Sequence, residues 1–380
     1  MIDPGFFVNA LAKEGTDFYT GVPDSLLKSF CAWLGEHQKA NHTIAVNEGA
    51  AVALASGYHF ATGKIPLVYM QNSGIGNAVN PLLSLADSDV YSVPILLLIG
   101  WRGEPGIKDE PQHLKQGKVS CALFDAMGIP YLILKQSEDE VRLQIDECYD
   151  YIKKNSSPFA LIVRKDTFSP YSLKAEAETG MSREEAIEEI IRSSSPREVF
   201  ISTTGMASRE LYELREKYSQ GHERDFLTVG SMGHASSLAL AVALQKKELP
   251  VTCIDGDGAA LMHLGSMAAI GVRKPANLRH IILNNGAHDS VGGQPTIGRS
   301  IDFAGIARAV GYTGVYSVRT VEELRAALGE TGECDKSGMN GPLFIEALVR
   351  KGNRANLGRP ASGPKENKEA FMRFIKEEKQ

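Results

Sequence analysis

The sequence contains no long hydrophobic run. Stretches such as Val93 to Ile99 fall far short of the roughly 20 apolar residues a bilayer-spanning helix needs. The opening MIDPGFFVNALAKEG carries an early Asp3 and lacks the extended apolar centre of a secretory signal. Cysteine is sparse: Cys31, Cys121, Cys148, Cys253 and Cys334 are all there are in 380 residues. They are scattered, odd in number and form no C-x-x-C pair, which excludes a disulfide framework and fits reduced residues of a cytoplasmic protein. Positive charge is not in excess either. A net charge of −5 argues against a nucleic-acid groove, while leaving room for a local anion pocket. The dinucleotide fingerprint G-x-G-x-x-G is also missing. Its nearest approach, Gly74-Ile75-Gly76-Asn77-Ala78-Val79, lacks the third glycine and follows a late strand, which counts against a nicotinamide dehydrogenase. These absences leave a soluble cytoplasmic protein with neither membrane nor nucleic acid as partner.

What is present reads as α/β. The chain is too long for a single core and suits two domains of ordinary size. A composition 43% hydrophobic and 23% charged marks it as globular rather than disordered. Asp3-Pro4 looks like an N-cap followed by proline at the first helical position, with a helix to about Glu14. Strands are expected near Phe18-Tyr19, Thr43 to Val46, Leu67 to Met70, Ile95 to Ile99, Tyr131 to Leu134 and Ala160 to Val163. Helices are expected over Leu26 to Glu36, capped by Asp24, and over Ala50 to Ala61. Gln71 to Asn77 reads as a loop, and so does the polar, proline-containing stretch Trp101 to Lys118. Periodicity lapses between Arg164 and Gly180, and Ser182-Arg183-Glu184-Glu185 then looks like a capping box. Further strands are expected at Val199 to Ser202, Leu227 to Val229, Val251 to Ile254, Ile281 to Leu283, Val315 to Val318 and Leu343 to Leu348, with helices between and a helical tail from about Asn367. The implied organisation is a domain over 1–170, a linker over 171–181 and a second domain over 182–380. Each domain is a doubly wound parallel sheet.

The stretch from Val251 to Ser290 carries the chemistry. One apolar run ends in Asp255-Gly256-Asp257-Gly258. A helix-like segment follows, and a second run ends in Asn284-Asn285-Gly286. Each of these short motifs alone is ordinary turn chemistry. Placed at the carboxyl ends of two successive strands, where open α/β sheets bind ligands, they form a set of hard oxygen donors suited to Mg²⁺. Glu48 lies past another strand end, among Gly49, Ala50 and Ala51. A buried glutamate there should have a raised pKa, although a charge favouring the helix N-terminus is the simpler reading.

Gly256-Asp257-Gly258 followed by Asn284-Asn285 resembles the fingerprint of the thiamine-diphosphate (ThDP) family. The resemblance implies Mg²⁺ held by Asp257, Asn285 and the carbonyl near Ala287 against the cofactor's diphosphate. Gly256, Gly258, Ala259 and His288 would stand beside the cofactor. Asn47-Glu48-Gly49-Ala50-Ala51 looks like the element whose glutamate bonds the aminopyrimidine ring and stabilises its imino tautomer. The loop from Gly230 to Ala235 looks like the one that holds the cofactor bent, with Met232 as the bulky residue or as a plain core filler. Thr204 and Gly205 either donate to the diphosphate or simply cap a helix.

The chain is shorter than most relatives and has no middle domain. Gly21-Val22-Pro23-Asp24-Ser25, Asn284 to Ser290, Leu357-Gly358-Arg359-Pro360 and Asn367 to Met372 resemble the phosphonopyruvate decarboxylases within the ThDP-dependent 2-oxo acid decarboxylases. This implies conversion of 3-phosphonopyruvate to phosphonoacetaldehyde and CO₂ through a carbanion and enamine, within phosphonate biosynthesis. Sulfopyruvate decarboxylase, or another ThDP decarboxylase or synthase, is the alternative. A non-catalytic binder on this fold would lose Glu48. Asp24, His113 and His288 are the candidate proton donors; Asp24 equally suits a helix cap and His113 a solvated loop. Arg102, Lys115, Arg354 and Arg359 are candidates for the anionic head group, with Lys108 and Arg299 behind them. The resemblance further implies a homo-oligomer, at least a dimer, with the cofactor at the subunit interface.

Overall fold

The computed structural model describes residues 1–173, 178–329 and 341–377, so Cys334 and part of the expected 171–181 linker lie outside the described residues. Two compact units result: Met1–Ala175 with Ser290–Gln294, and Glu176–Asp289 with Pro295–Gln380. Both are doubly wound parallel sheets, the class expected from the sequence. No helix among the described residues is long and apolar enough to cross a membrane.

The first unit contains strands β1 (Tyr19–Gly21), β2 (His42–Ile44), β3 (Leu67–Gln71), β4 (Leu96–Gly100), β5 (Tyr131–Ile133) and β6 (Phe159–Val163), in the order β2-β1-β3-β4-β6-β5. Burial on both faces follows from the sequence. Leu67, Tyr69, Leu96 and Leu98 join one apolar cluster, while Val68, Met70, Leu97 and Ile99 join another. Alternate residues thus pack on opposite sides, and the strands read as continuous apolar runs. The chain reverses direction across the sheet between β1 and β3. That crevice is where such sheets hold ligands.

Three expectations in this unit are corrected. Gln71 to Asn77 is not a loop: Asn72–Gly74 is a 3₁₀ turn and Ile75–Pro81 is a helix. Ile75, Ala78, Leu82 and Ala86 bury one face at helical spacing, a pattern the intervening Gly, Asn and Pro obscure. Trp101 to Lys118 is likewise only partly loop. A helix starts at Pro111 and continues to Met127, burying Gly117, Ser120, Phe124 and Met127. Its charged residues occupy the solvent face, which hid the period. The helix expected from Leu26 begins at Lys28 after Leu27, with no side-chain cap from Asp24.

The second unit contains β7 (Val199–Ser202), β8 (Asp225–Leu227), β9 (Val251–Gly256), β10 (Leu278–Asn284), β11 (Gly314–Val318) and β12 (Leu343–Leu348), in the order β11-β12-β10-β9-β7-β8. The capping box at Ser182 is present in both halves, opening the helix Arg183–Arg192. Strand β8 begins two residues before its expected place because Asp225 is drawn into the core by Arg215. Both are fully buried, with Nε–Oδ2 at 2.9 Å and Nη2–Oδ1 at 2.8 Å. The sheet again reverses between β7 and β9, which brings Thr203 and Asp257 to one crevice.

Breaking a buried ion pair from one side strands the other charge. Asp225→Asn should cost about 3–5 kcal/mol, whereas the paired replacement Arg215→Met/Asp225→Leu should recover most of the loss. Urea unfolding measures both, and a single variant within about 1 kcal/mol of wild type would show that the pair is not an anchor.

Candidate active site

In the first unit the turn after β3 connects the candidate residues. Gln71 Nε2 donates to Asp24 Oδ1 at 2.5 Å. Asn72 grips the backbone of Arg102 at both ends, donating to its carbonyl at 2.8 Å and accepting from its N–H at 3.1 Å. Gly74 lies under Glu48. A Cβ at position 74 would come within 2.4 Å of Glu48 Oε1, so only glycine permits the approach. Glu48 opens the helix Glu48–Thr62, whose cap Asn47 accepts from the Ala50 N–H at 2.8 Å. Glu48 is 5% exposed, and its carboxyl accepts from Asn77 Nδ2 at 2.7 Å. Burial pushes its pKa up; the Asn77 bond only partly offsets that, and no basic side chain contributes.

Asp24 is fully buried and accepts from the Leu26 N–H at 2.9 Å. Beside it, Arg102 Nη1 donates to Ser25 Oγ at 2.7 Å. The same guanidinium makes a two-point pair with Asp109, Nε–Oδ2 at 2.8 Å and Nη2–Oδ1 at 2.5 Å. His113, in the first turn of its helix, sits 3.1 Å from that carboxylate. Burial acts to raise Asp109, but Arg102 and His113 hold it well below the carboxylate range. Burial also lowers the pKa of His113, against the opposing charges of Asp109 and Asp24. Three sequence candidates, Asp24, Arg102 and His113, therefore share one cluster. Asp109, Gln71, Asn72 and Asn77 were missed, because they lie in stretches that read as solvated loop. Lys115 is exposed on the same helix as His113.

In the second unit Asp257 is the first residue of the short helix after β9, 2% exposed. Its carboxylate accepts from the Thr296 hydroxyl and from the backbone N–H groups of Gly258, Asn285 and Asp257 itself. Even so, burial pushes its pKa up to about 6. Gly298 makes room for it, since a Cβ there would fall 2.4 Å from Oδ2. The two asparagines after β10 have separate tasks. Asn284 donates to Glu346 Oε1 and to the Gly298 carbonyl, both at 2.8 Å, and holds the loop. Asn285 accepts from the Ala287 N–H at 3.0 Å and stands beside Asp257. Asp255 belongs elsewhere: its carboxylate faces His280 at 3.5 Å and a buried Cys253.

A carboxylate, a side-chain amide and nearby carbonyls are the donor set Mg²⁺ takes, so the residues fit the ion. They also fit a diphosphate. Thr203 Oγ1 is buried at the end of β7 with no hydrogen-bond partner among the described residues, beside half-buried Thr204 and the helix cap Gly205. His288 packs its ring on Gly258, and burial pulls its pKa down to about 4. Ala259 and Ala287 are buried, while Gly230, Met232 and Gly256 are half-buried. Arg354 is committed to Glu184 and Glu213; Arg359 is exposed in the same C-terminal stretch.

Residues 5–123 match the thiamine pyrophosphate enzyme N-terminal TPP binding domain, and residues 203–347 match the C-terminal TPP binding domain. Phosphonopyruvate decarboxylase of Streptomyces hygroscopicus is 34% identical over 394 residues, covering 99% of this chain and 95% of that protein. Phosphonopyruvate decarboxylase of Streptomyces viridochromogenes is 31% identical over 392 residues, again covering 99% and 95%. Sulfopyruvate decarboxylase of Methanosarcina acetivorans is 26% identical over 394 residues, covering 97% and 96%.

The raised Asp257 pKa has a defined sign. The folded state holds this proton more tightly than the unfolded one, so the group's contribution is full below about pH 4 and is lost as pH rises through about 6. Metal-free Asp257→Asn should therefore be more stable than wild type at pH 8, by up to about 3 kcal/mol, with the advantage vanishing near pH 4. Thermal melts at the two pH values measure it; a variant less stable than wild type at pH 8 contradicts an unpaired buried carboxylate.

Proposed function

The chain belongs to the thiamine pyrophosphate (thiamine diphosphate) enzyme family, and we propose that it decarboxylates 3-phosphonopyruvate to phosphonoacetaldehyde and CO₂ in phosphonate biosynthesis. The observation that carries this reading is similarity along nearly the whole chain to two phosphonopyruvate decarboxylases, at higher identity than to the sulfopyruvate decarboxylase of Methanosarcina acetivorans over a comparable span. When bound, the cofactor supplies the electron sink that lets a 2-oxo acid lose CO₂.

The protein's own residues have distinct tasks in this scheme. Asp257, Asn285 and the Ala287 carbonyl would hold Mg²⁺; Thr203, Thr204 and Gly205 would meet the diphosphate. Gly256, Gly258 and Ala259 would line its approach, and Gly230 and Met232 would support the cofactor from the facing loop. Glu48, its pKa pushed up by burial, would share a proton with the aminopyrimidine ring. Asp24 and His113 would deliver the proton that completes the aldehyde, since both lie in one cluster with Arg102. His288, lowered to about 4, is a neutral imidazole near pH 7 and would serve as a hydrogen-bond partner rather than as an imidazolium acid.

For the phosphonate head group Arg102 is the best supported cation. It is partly buried, in the same cluster as Asp24, and its guanidinium retains N–H groups beyond those given to Asp109 and Ser25. Arg354 is charge-compensated by two carboxylates, which favours a structural role for it. Lys115 and Arg359 stand on exposed surface and would act at most in the approach of the anion. The enzyme would be cytoplasmic and a homo-oligomer of at least two copies, because the two sets of determinants reside on different units.

The test is aldehyde and CO₂ release from phosphonopyruvate, sulfopyruvate and pyruvate, with and without ThDP and Mg²⁺. Phosphonopyruvate should turn over fastest and only with both additions; preference for sulfopyruvate would move the assignment to the alternative. Glu48→Gln should lose about 100-fold or more in kcat with an unchanged melting temperature. Near-normal turnover would remove Glu48 from catalysis.

A further inference from the structure

Asparagine is an ambiguous ligand. Its amide presents oxygen at one end and NH₂ at the other, and only the oxygen binds a cation. Something must set which end faces the ion. The residue four positions after Asn285 does so here. Asn285 Nδ2 donates to Asp289 Oδ2 at 2.7 Å, and the Ala287 N–H donates to Oδ1 at 3.0 Å. A rotated amide would turn its oxygen toward a carboxylate and its NH₂ toward a backbone donor, so both bonds would be lost together.

Asp289 is itself held. The same Oδ2 accepts from Arg183 Nη1 at 2.8 Å and from the Gly352 N–H at 3.0 Å. Arg183 is fixed by a two-point pair with Glu210, Nε–Oε2 at 2.7 Å and Nη2–Oε1 at 3.0 Å, and donates once more to the Gly352 carbonyl at 3.4 Å. All three charged side chains are nearly closed to solvent, at 8%, 1% and 9% exposure for Arg183, Glu210 and Asp289. The chain of contacts begins at the first residue of the helix Arg183–Arg192 and ends on the candidate metal ligand.

We propose that Asp289, anchored by Arg183 and Glu210, is a positioning residue that fixes the Asn285 amide with its oxygen toward the cation. The inference rests on the reading of Asp257, Asn285 and Ala287 as the metal set. Asp289 Oδ2 receives three donors, from Asn285, Arg183 and Gly352, so the carboxylate is held in place from three sides. Partners of this kind behind a ligand usually matter 10–100-fold in metal affinity.

Mn²⁺, which accepts the same oxygen donors as Mg²⁺, is the probe, with the free-ion EPR signal read during titration of protein plus ThDP. Asp289→Asn should weaken Mn²⁺ binding about 10–100-fold. The exchanged pair Asn285→Asp/Asp289→Asn restores one acceptor facing one donor, and should return the affinity to within about threefold of wild type, a rescue that general loosening of the loop would not give. Two results overturn the proposal: Asp289→Asn binding within about twofold of wild type, or an exchanged pair no tighter than the single variant. If Asp289→Asn does not fold, the exchanged pair alone decides, with wild-type affinity supporting the proposal and a loss of tenfold or more sinking it. Absence of ThDP-dependent Mn²⁺ binding in wild type would instead refute the metal reading beneath it.

Discussion

Burying a carboxyl group without a cation beside it is the constraint around which both candidate half-sites are built. The described core holds acids of two kinds. Asp225 and Glu210 each meet a guanidinium at two points, the arrangement that makes a buried charge tolerable. Burial raises all four, but among the described residues Glu48 and Asp257 have no basic side chain to offset it. What they receive instead is modest: one amide for Glu48, a hydroxyl and three backbone N–H groups for Asp257. A fold does not carry two such costs for stability. They make sense as vacant valences, one for a proton shared with a ring nitrogen and one for a divalent ion.

The surrounding residues then sort by what they do to these acids. Asn77 and Gly74 stand against Glu48, and Thr296 and Gly298 against Asp257. The turn Gln71–Gly74 has a larger reach. Three of its four residues touch a different candidate: Asp24, Arg102 and Glu48 in order. The end of β3 and the 3₁₀ turn that follows it thereby hold three candidate groups against one another. The counterpart in the second unit is the loop after β10, where Asn284 anchors to the sheet and leaves Asn285 free to take part in the proposed metal set.

Much of this was legible in the chain and some was not, for physical reasons. Parallel strands announce themselves because both faces are buried: Val199–Ser202 and Leu343–Leu348 fall where apolar composition places them. The capping box at Ser182 is a local motif with local causes, and it holds. Glu48, Asp257 and Asn285 could be singled out because each follows a strand end. The helix Ile75–Pro81 could not, since its glycine, asparagine and proline lower helix propensity and only packing of Ile75 and Ala78 forms it. Asp109 was hidden differently. Its meaning lies in contacts with Arg102 and His113, and in sequence it is one charge among many. The tie between Arg183 and Asp289 spans 106 positions, a distance no periodicity encodes.

Gly74 has a consequence for how this protein can change over generations. Every single-base alteration in the first two positions of a glycine codon that still encodes an amino acid adds a side chain, and the smallest of them already meets the Glu48 carboxyl at 2.4 Å. Neutral drift is thus closed at position 74 in a way that it is not at exposed Gly57 or Gly76, where a Cβ would meet nothing. A lineage that loses Gly74 should have to relocate its glutamate as well, so the two positions are bound to a common evolutionary fate.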